Sequence, residues 1–165
     1  MADVEDYAGS TGRNETREEQ LDRNWAELLQ ELRVLQTGVQ ILAGFLLTLP
    51  FQQRFEHLDD FQVGLYLVNV VIATLTTALI LLPVSVHRRL FRQRLKATLV
   101  SSADSITKVA LAGVSMLSIG TAALVFDVTA GRSAGLTAGG ILLAILLVLL
   151  VYVPLRLNRR AQGGS

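Results

Sequence analysis

Four stretches of this chain contain no Asp, Glu, Lys or Arg: residues 34–53, 61–86, 109–126 and 133–155. A helix rises about 1.5 Å per residue, so about 20 residues cross a hydrocarbon layer about 30 Å thick. Backbone polar groups find no water there, which leaves helices and closed barrels as the only spanning forms. Barrel strands alternate apolar and polar residues. The run ILLAILLVLLVYVPL at 141–155 shows no such alternation. A soluble bundle helix would carry a charged outer face, and these stretches have none. The chain is therefore expected to be all-α, a polytopic membrane protein with four transmembrane helices in an antiparallel bundle. The spans are expected at 34–53, 61–84, 106–126 and 134–155.

The remaining charge is clustered. Of 29 charged residues, 13 lie in 1–33 and 7 in 84–108. Lys and Arg are also unevenly placed about the four spans. The N-terminal segment, the second connection and the C-terminal tail together hold thirteen, and the first and third connections hold only Arg54 and Arg132. Positive charge is retained on the cytoplasmic side, so both termini and the central loop are expected in the cytoplasm, with the protein in the plasma (inner) membrane. A cleaved signal peptide does not fit, because 33 mainly polar residues precede the first span and nine of them are acidic. The absence of Cys excludes a disulfide-stapled fold. A net charge of +1 does not point to nucleic acid.

Residues 1–15 are rich in Gly, Ser, Thr, Asn and acids, and are expected to form a disordered tail, with 161–165 a short flexible tail. Thr16 and Glu19 have capping-box spacing, so the first helix should begin near residue 17 and run into the first span. Leu21, Trp25, Leu28, Leu32 and Leu35 follow at spacings of four, three, four and three, an apolar stripe along one helix face. It is expected to pack on the bundle's own end or at the lipid interface, with a short coiled coil between protomers as the alternative. The central loop interleaves Arg88, Arg89, Arg92, Arg94 and Lys96 with Leu90, Phe91 and Leu95. Each basic residue near an anionic lipid surface contributes about 1 kcal/mol of attraction, so this loop is expected to face anionic lipid. Pro83 should kink the second helix, and Ser101, Ser102 and Asp104 mark the expected start of the third.

No ionisable carboxylate, Lys or Arg falls inside the four stretches, which argues against proton-coupled transport through them. No cofactor is implied: the chain has no HExxH, no GxSxG and no phosphate-binding Gly-rich loop, so an enzyme is not expected. The intramembrane polar residues singled out are Gln36, Gln40 and Asn69. Gln40 and Asn69 lie at similar depth on neighbouring helices, and are expected to face the interior and hydrogen-bond. Gly113 and Gly120 are seven apart, whereas Gly131, Gly135 and Gly139 repeat at four and Gly140 precedes Ala144 by four. Such spacing allows close backbone approach, within one chain or between two. Past Gly140 the fourth helix should face lipid. The first connection, LPFQQRFEHLDDFQ, gathers Arg54, Glu56, Asp59 and Asp60. Asp59 and Asp60 suit a helix start, and Arg54 is expected to pair with Glu56 or the aspartates.

The segments ELLQELRVLQTGVQIL and LLTLPFQQRF, within a similarity spanning roughly residues 18–155, resemble a family of small bacterial four-span membrane proteins of unknown function. Some similar sequences carry the label sodium:proton antiporter. The resemblance implies four spans and no catalytic residues. Two functional expectations follow. The first is a non-enzymatic membrane protein that acts through helix association, including a possible homo-oligomer. The second is a small oligomeric transporter or channel with a polar path near Gln40 and Asn69.

Overall fold

The structure, a computed structural model, describes residues 16–90 and 96–162. It is all-α, with no strand among the described residues. Helix α1 covers Arg17–Thr48, α2 Asp60–Leu90, α3 Lys96–Ala130 and α4 Arg132–Leu147. A π turn at Val148–Tyr152 carries α4 into α5, Val153–Gln162. Four segments are long and apolar enough to cross a membrane: Arg23–Phe51, Asp60–Pro83, Ser105–Ala130 and Arg132–Leu157.

The ends of these helices follow from local chemistry. Thr16 caps α1: its hydroxyl accepts from the Glu19 N–H at 3.4 Å, and the Glu19 carboxylate accepts from the Thr16 N–H at 2.8 Å. Pro50 cannot supply a helix N–H, and α1 gives way to 3-10 turns at Leu49–Phe51 and Gln53–His57. The π turn ends two residues before Pro154, whose ring would clash with the Leu150 carbonyl four residues back in a regular helix. The third connection is the single residue Gly131, at φ +93°, ψ 171°. That backbone region is essentially restricted to Gly.

One expectation is corrected here. Helix α3 starts at Lys96 rather than near Ser101, because Lys96, Ala97 and Leu99 are good helix formers and no Gly or Pro intervenes. Of the central basic segment, Arg88 and Arg89 lie in the last turn of α2 and Lys96 opens α3. Arg92 and Arg94, the 1–15 tail and residues 163–165 lie outside the described residues, as do the side chains of Arg88, Arg89 and Lys96.

Helices α1, α2 and α3 pack pairwise around one core, and α4 packs mainly on α3. The core residues repeat in sevens. On α1 they are Leu32, Val39 and Leu46; on α2 Tyr66, Ala73 and Ile80; on α3 Ala110, Leu117 and Leu124. A repeat of 3.5 residues is the signature of left-handed, knobs-into-holes packing. Leu32 and Leu35, the last members of the N-terminal stripe, join this core. Beyond Gly140 the fourth helix is exposed almost throughout, as expected.

Candidate functional site

The α2–α3 seam joins polar side chains to gaps left by glycine. Asn69 on α2 is 1% exposed and sits against Gly120 of α3. Its Nδ2 donates to the Leu65 carbonyl at 2.9 Å. Thr76, two turns further, sits against Gly113. A methyl group at either glycine would collide with the opposing polar side chain. Seven residues back from Asn69, Gln62 meets Asp127, seven residues on from Gly120: Gln62 Nε2 donates to Asp127 Oδ1 at 2.6 Å. One antiparallel register thus carries all three pairs. Gly113 and Gly120 therefore serve contacts within the chain.

Gly135 and Gly139 do the same between α3 and α4. A Cβ on Gly135 would lie 2.7 Å from Asp127 Cβ and 2.8 Å from the Ala123 carbonyl oxygen. One on Gly139 would lie 3.2 Å from Ala123 Cβ. Spacing of four on α4 against Ala123 and Asp127 is the close-approach pattern of membrane helix pairs.

At the end of the bundle remote from the chain termini, the distal end, these seams converge on Asp127. Its residue surface is 4% exposed. Arg132, the first residue of α4, places Nε 3.0 Å from Asp127 Oδ2 and Nη2 2.5 Å from Asp59 Oδ2. The guanidinium also lies 3.8 Å over the Phe61 ring. Asp59 and Gln62 cap α2 reciprocally: the Gln62 N–H donates to Asp59 Oδ1 at 2.9 Å, and the Asp59 N–H to Gln62 Oε1 at 3.1 Å. The Gln62 N–H and then the Arg132 guanidinium hold the Asp59 carboxyl below its ordinary range. An Arg at a helix N-terminus opposes the helix dipole. Here two carboxylates offset that cost, and one cation clasps the ends of α2, α3 and α4.

The structure redistributes the residues singled out from sequence. Asp59 joins the clasp, and Asp60 opens α2 as a first-turn acid. Arg54 does not pair with Glu56 or the aspartates; its Nη2 donates to the Val128 carbonyl at 3.3 Å. Gln40 and Asn69 do not meet. Asn69 is buried, but Gln40 is exposed and Gln36 half-buried. The difference is one of rotation about the axis of α1. The buried position of that turn belongs to Val39, one residue and about 100° away, because an aliphatic side chain enters the core without needing a hydrogen-bond partner. Gln62, Asp127 and Arg132 were not singled out from sequence. Asp127 and Arg132 are the only charges between the third and fourth uncharged stretches and stand five apart across Gly131, which is the available signal.

The arrangement suits charge clasping and helix packing. Among the described residues no group of three His, Cys, Asp or Glu is placed to hold a metal ion. No curated protein and no solved structure matches the chain. A family profile does match, over residues 14–154, and the chain therefore belongs to the family of unknown function DUF6328.

Proposed function

We propose that this membrane protein is non-enzymatic and acts by association within the bilayer, as a homo-oligomer formed through α1. One observation carries this reading: Gln40 lies in mid-span, exposed, with no hydrogen-bond partner among the described residues. Gln36 and Gly44 lie four residues before and after it, and a Cβ on Gly44 would meet open space. Lipid tails offer an amide nothing to bond. A carboxamide is both donor and acceptor, so Gln40 of one copy pairs with Gln40 of another about a two-fold axis. The vacant surface at Gly44 admits the close backbone approach this requires.

In this proposal the protein lies in the plasma membrane with both termini cytoplasmic, and the Arg88–Lys96 region meets anionic lipid. The thirteen-to-two bias of Lys and Arg supports that orientation. The transport alternative rested on a polar path joining Gln40 to Asn69, and those side chains are apart.

Association is tested by energy transfer between labelled copies in liposomes, at several protein-to-lipid ratios. An interhelical hydrogen bond in a membrane is worth about 0.6–2 kcal/mol, so Gln40→Leu should weaken association about 3- to 30-fold. Gln40→Asn keeps the amide and should retain part of it. A monomeric wild type at every ratio, or an unchanged Gln40→Leu, overturns the proposal.

A further inference from the structure

The distal end carries a hollow of about 530 Å³ between the 3-10 turns and α3. Its walls include Leu49, Phe55, Leu58, Leu124, Val125 and Val128. Leu124 is buried at 2% exposure, and Val125, at 40%, stands on the open side. A hollow of this size falls in the range of small-molecule sites, about 300–1,000 Å³. Arg54 also lines it.

Arg54 lies one residue beyond the first uncharged stretch, where an apolar span gives way to polar chain. Its guanidinium makes one bond, to the Val128 carbonyl, and has no carboxylate partner among the described residues. A guanidinium has five N–H donors, so four remain for an anion. An apolar cavity below such a group matches an amphiphile with an acyl chain and a phosphate. The surrounding charge narrows the choice. Arg132 is occupied by Asp59 and Asp127. Glu56, two residues on from Arg54 in the same 3-10 turn, is exposed, as is Asp60, and neither stands in an ion pair among the described residues. A headgroup that brings only negative charge meets repulsion from these carboxylates. One that also carries an ammonium does not.

We propose that this hollow binds one zwitterionic phospholipid, with an acyl chain against Leu124 and Val125, the phosphate on Arg54 and the ammonium beside Glu56. The site is distinct from the basic region at the opposite end of the bundle.

Native mass spectrometry of the full chain, titrated with phosphatidylethanolamine or phosphatidylglycerol of matched acyl chains, reads this directly. The wild type should hold one phosphatidylethanolamine more tightly than phosphatidylglycerol. Loss of the charge-assisted bonds in Arg54→Gln should weaken that binding about tenfold. Val125→Trp fills the open side with Arg54 intact and should produce a similar loss. Glu56→Gln should shift the preference toward phosphatidylglycerol. The proposal is overturned if phosphatidylglycerol binds the wild type equally well or better. It is also overturned if either Arg54→Gln or Val125→Trp changes phosphatidylethanolamine affinity by less than about threefold, a difference well below one charge-assisted hydrogen bond.

Discussion

Three glycines on α4 differ only in what faces them, and that difference predicts a graded response to the same added methyl group. A Cβ on Gly135 would lie 2.7 Å from Asp127 Cβ, 2.8 Å from the Ala123 oxygen and 3.0 Å from Asp127 Cα. Comfortable carbon–carbon contact needs about 3.5–4.0 Å. Two of those three atoms are backbone, so no rotamer change relieves the overlap, and α4 must retreat from α3. Overpacking of this kind costs about 1–3 kcal/mol, against a gain of about 1 kcal/mol in helix propensity for Ala over Gly. The net loss expected for Gly135→Ala is about 0–2 kcal/mol. The retreat also draws Arg132 away from Asp127. At Gly139 the nearest atom is the Ala123 methyl at 3.2 Å, so the two effects should nearly cancel. Around Gly140 nothing lies within 4 Å, and Gly140→Ala should gain up to about 1 kcal/mol. Reversible unfolding in mixed micelles, with far-UV circular dichroism as the readout, orders the three variants. If Gly135→Ala is as stable as Gly140→Ala, the close α3–α4 contact described here is wrong.

Other consequences concern the clasp and the core. Arg132→Gln leaves the Asp127 carboxylate buried without its cation and should destabilise by about 1–3 kcal/mol; adding Asp127→Asn should recover much of that in a double-mutant cycle of unfolding free energies. The Thr121 hydroxyl is buried without a hydrogen-bond partner among the described residues, whereas Thr74, Thr77 and Thr129 donate to carbonyls four residues back. Thr121→Val should therefore raise the melting temperature, by the equivalent of about 1 kcal/mol. The lowered Asp59 pKa makes folding favour the ionised carboxylate. Its stabilisation is complete above the ordinary carboxylate pKa of about 4 and is lost as pH falls through the lower folded value. Asp59→Asn should flatten that acid limb in a pH series of melting curves.

The amino-acid sequence alone determines quantities of single segments. Whether a stretch such as 61–86 enters lipid depends on its own transfer free energy, summed along the chain. Its helicity follows because no other partner exists there for its backbone. Thr16 with Glu19, and Asp59 with a helix start, were equally legible, because a cap is a contact between residues about three apart.

Rotation and pairing belong to the tertiary structure. Gln40 and Val39 are adjacent in sequence and equal in depth, and only the packing of α1 against α2 and α3 decides which one is buried. Gly120 is a gap whose purpose becomes visible only when Asn69 fills it. Asp127, Arg132, Asp59 and Gln62 come from three helix ends and one connection, each unremarkable alone. Their meeting depends on the α2–α3 register and on a one-residue turn at Gly131. Segment by segment, hydropathy and charge place this chain in a membrane; only the relative rotation of its helices determines which polar groups are clasped together and which, like Gln40 and Arg54, are left facing outward.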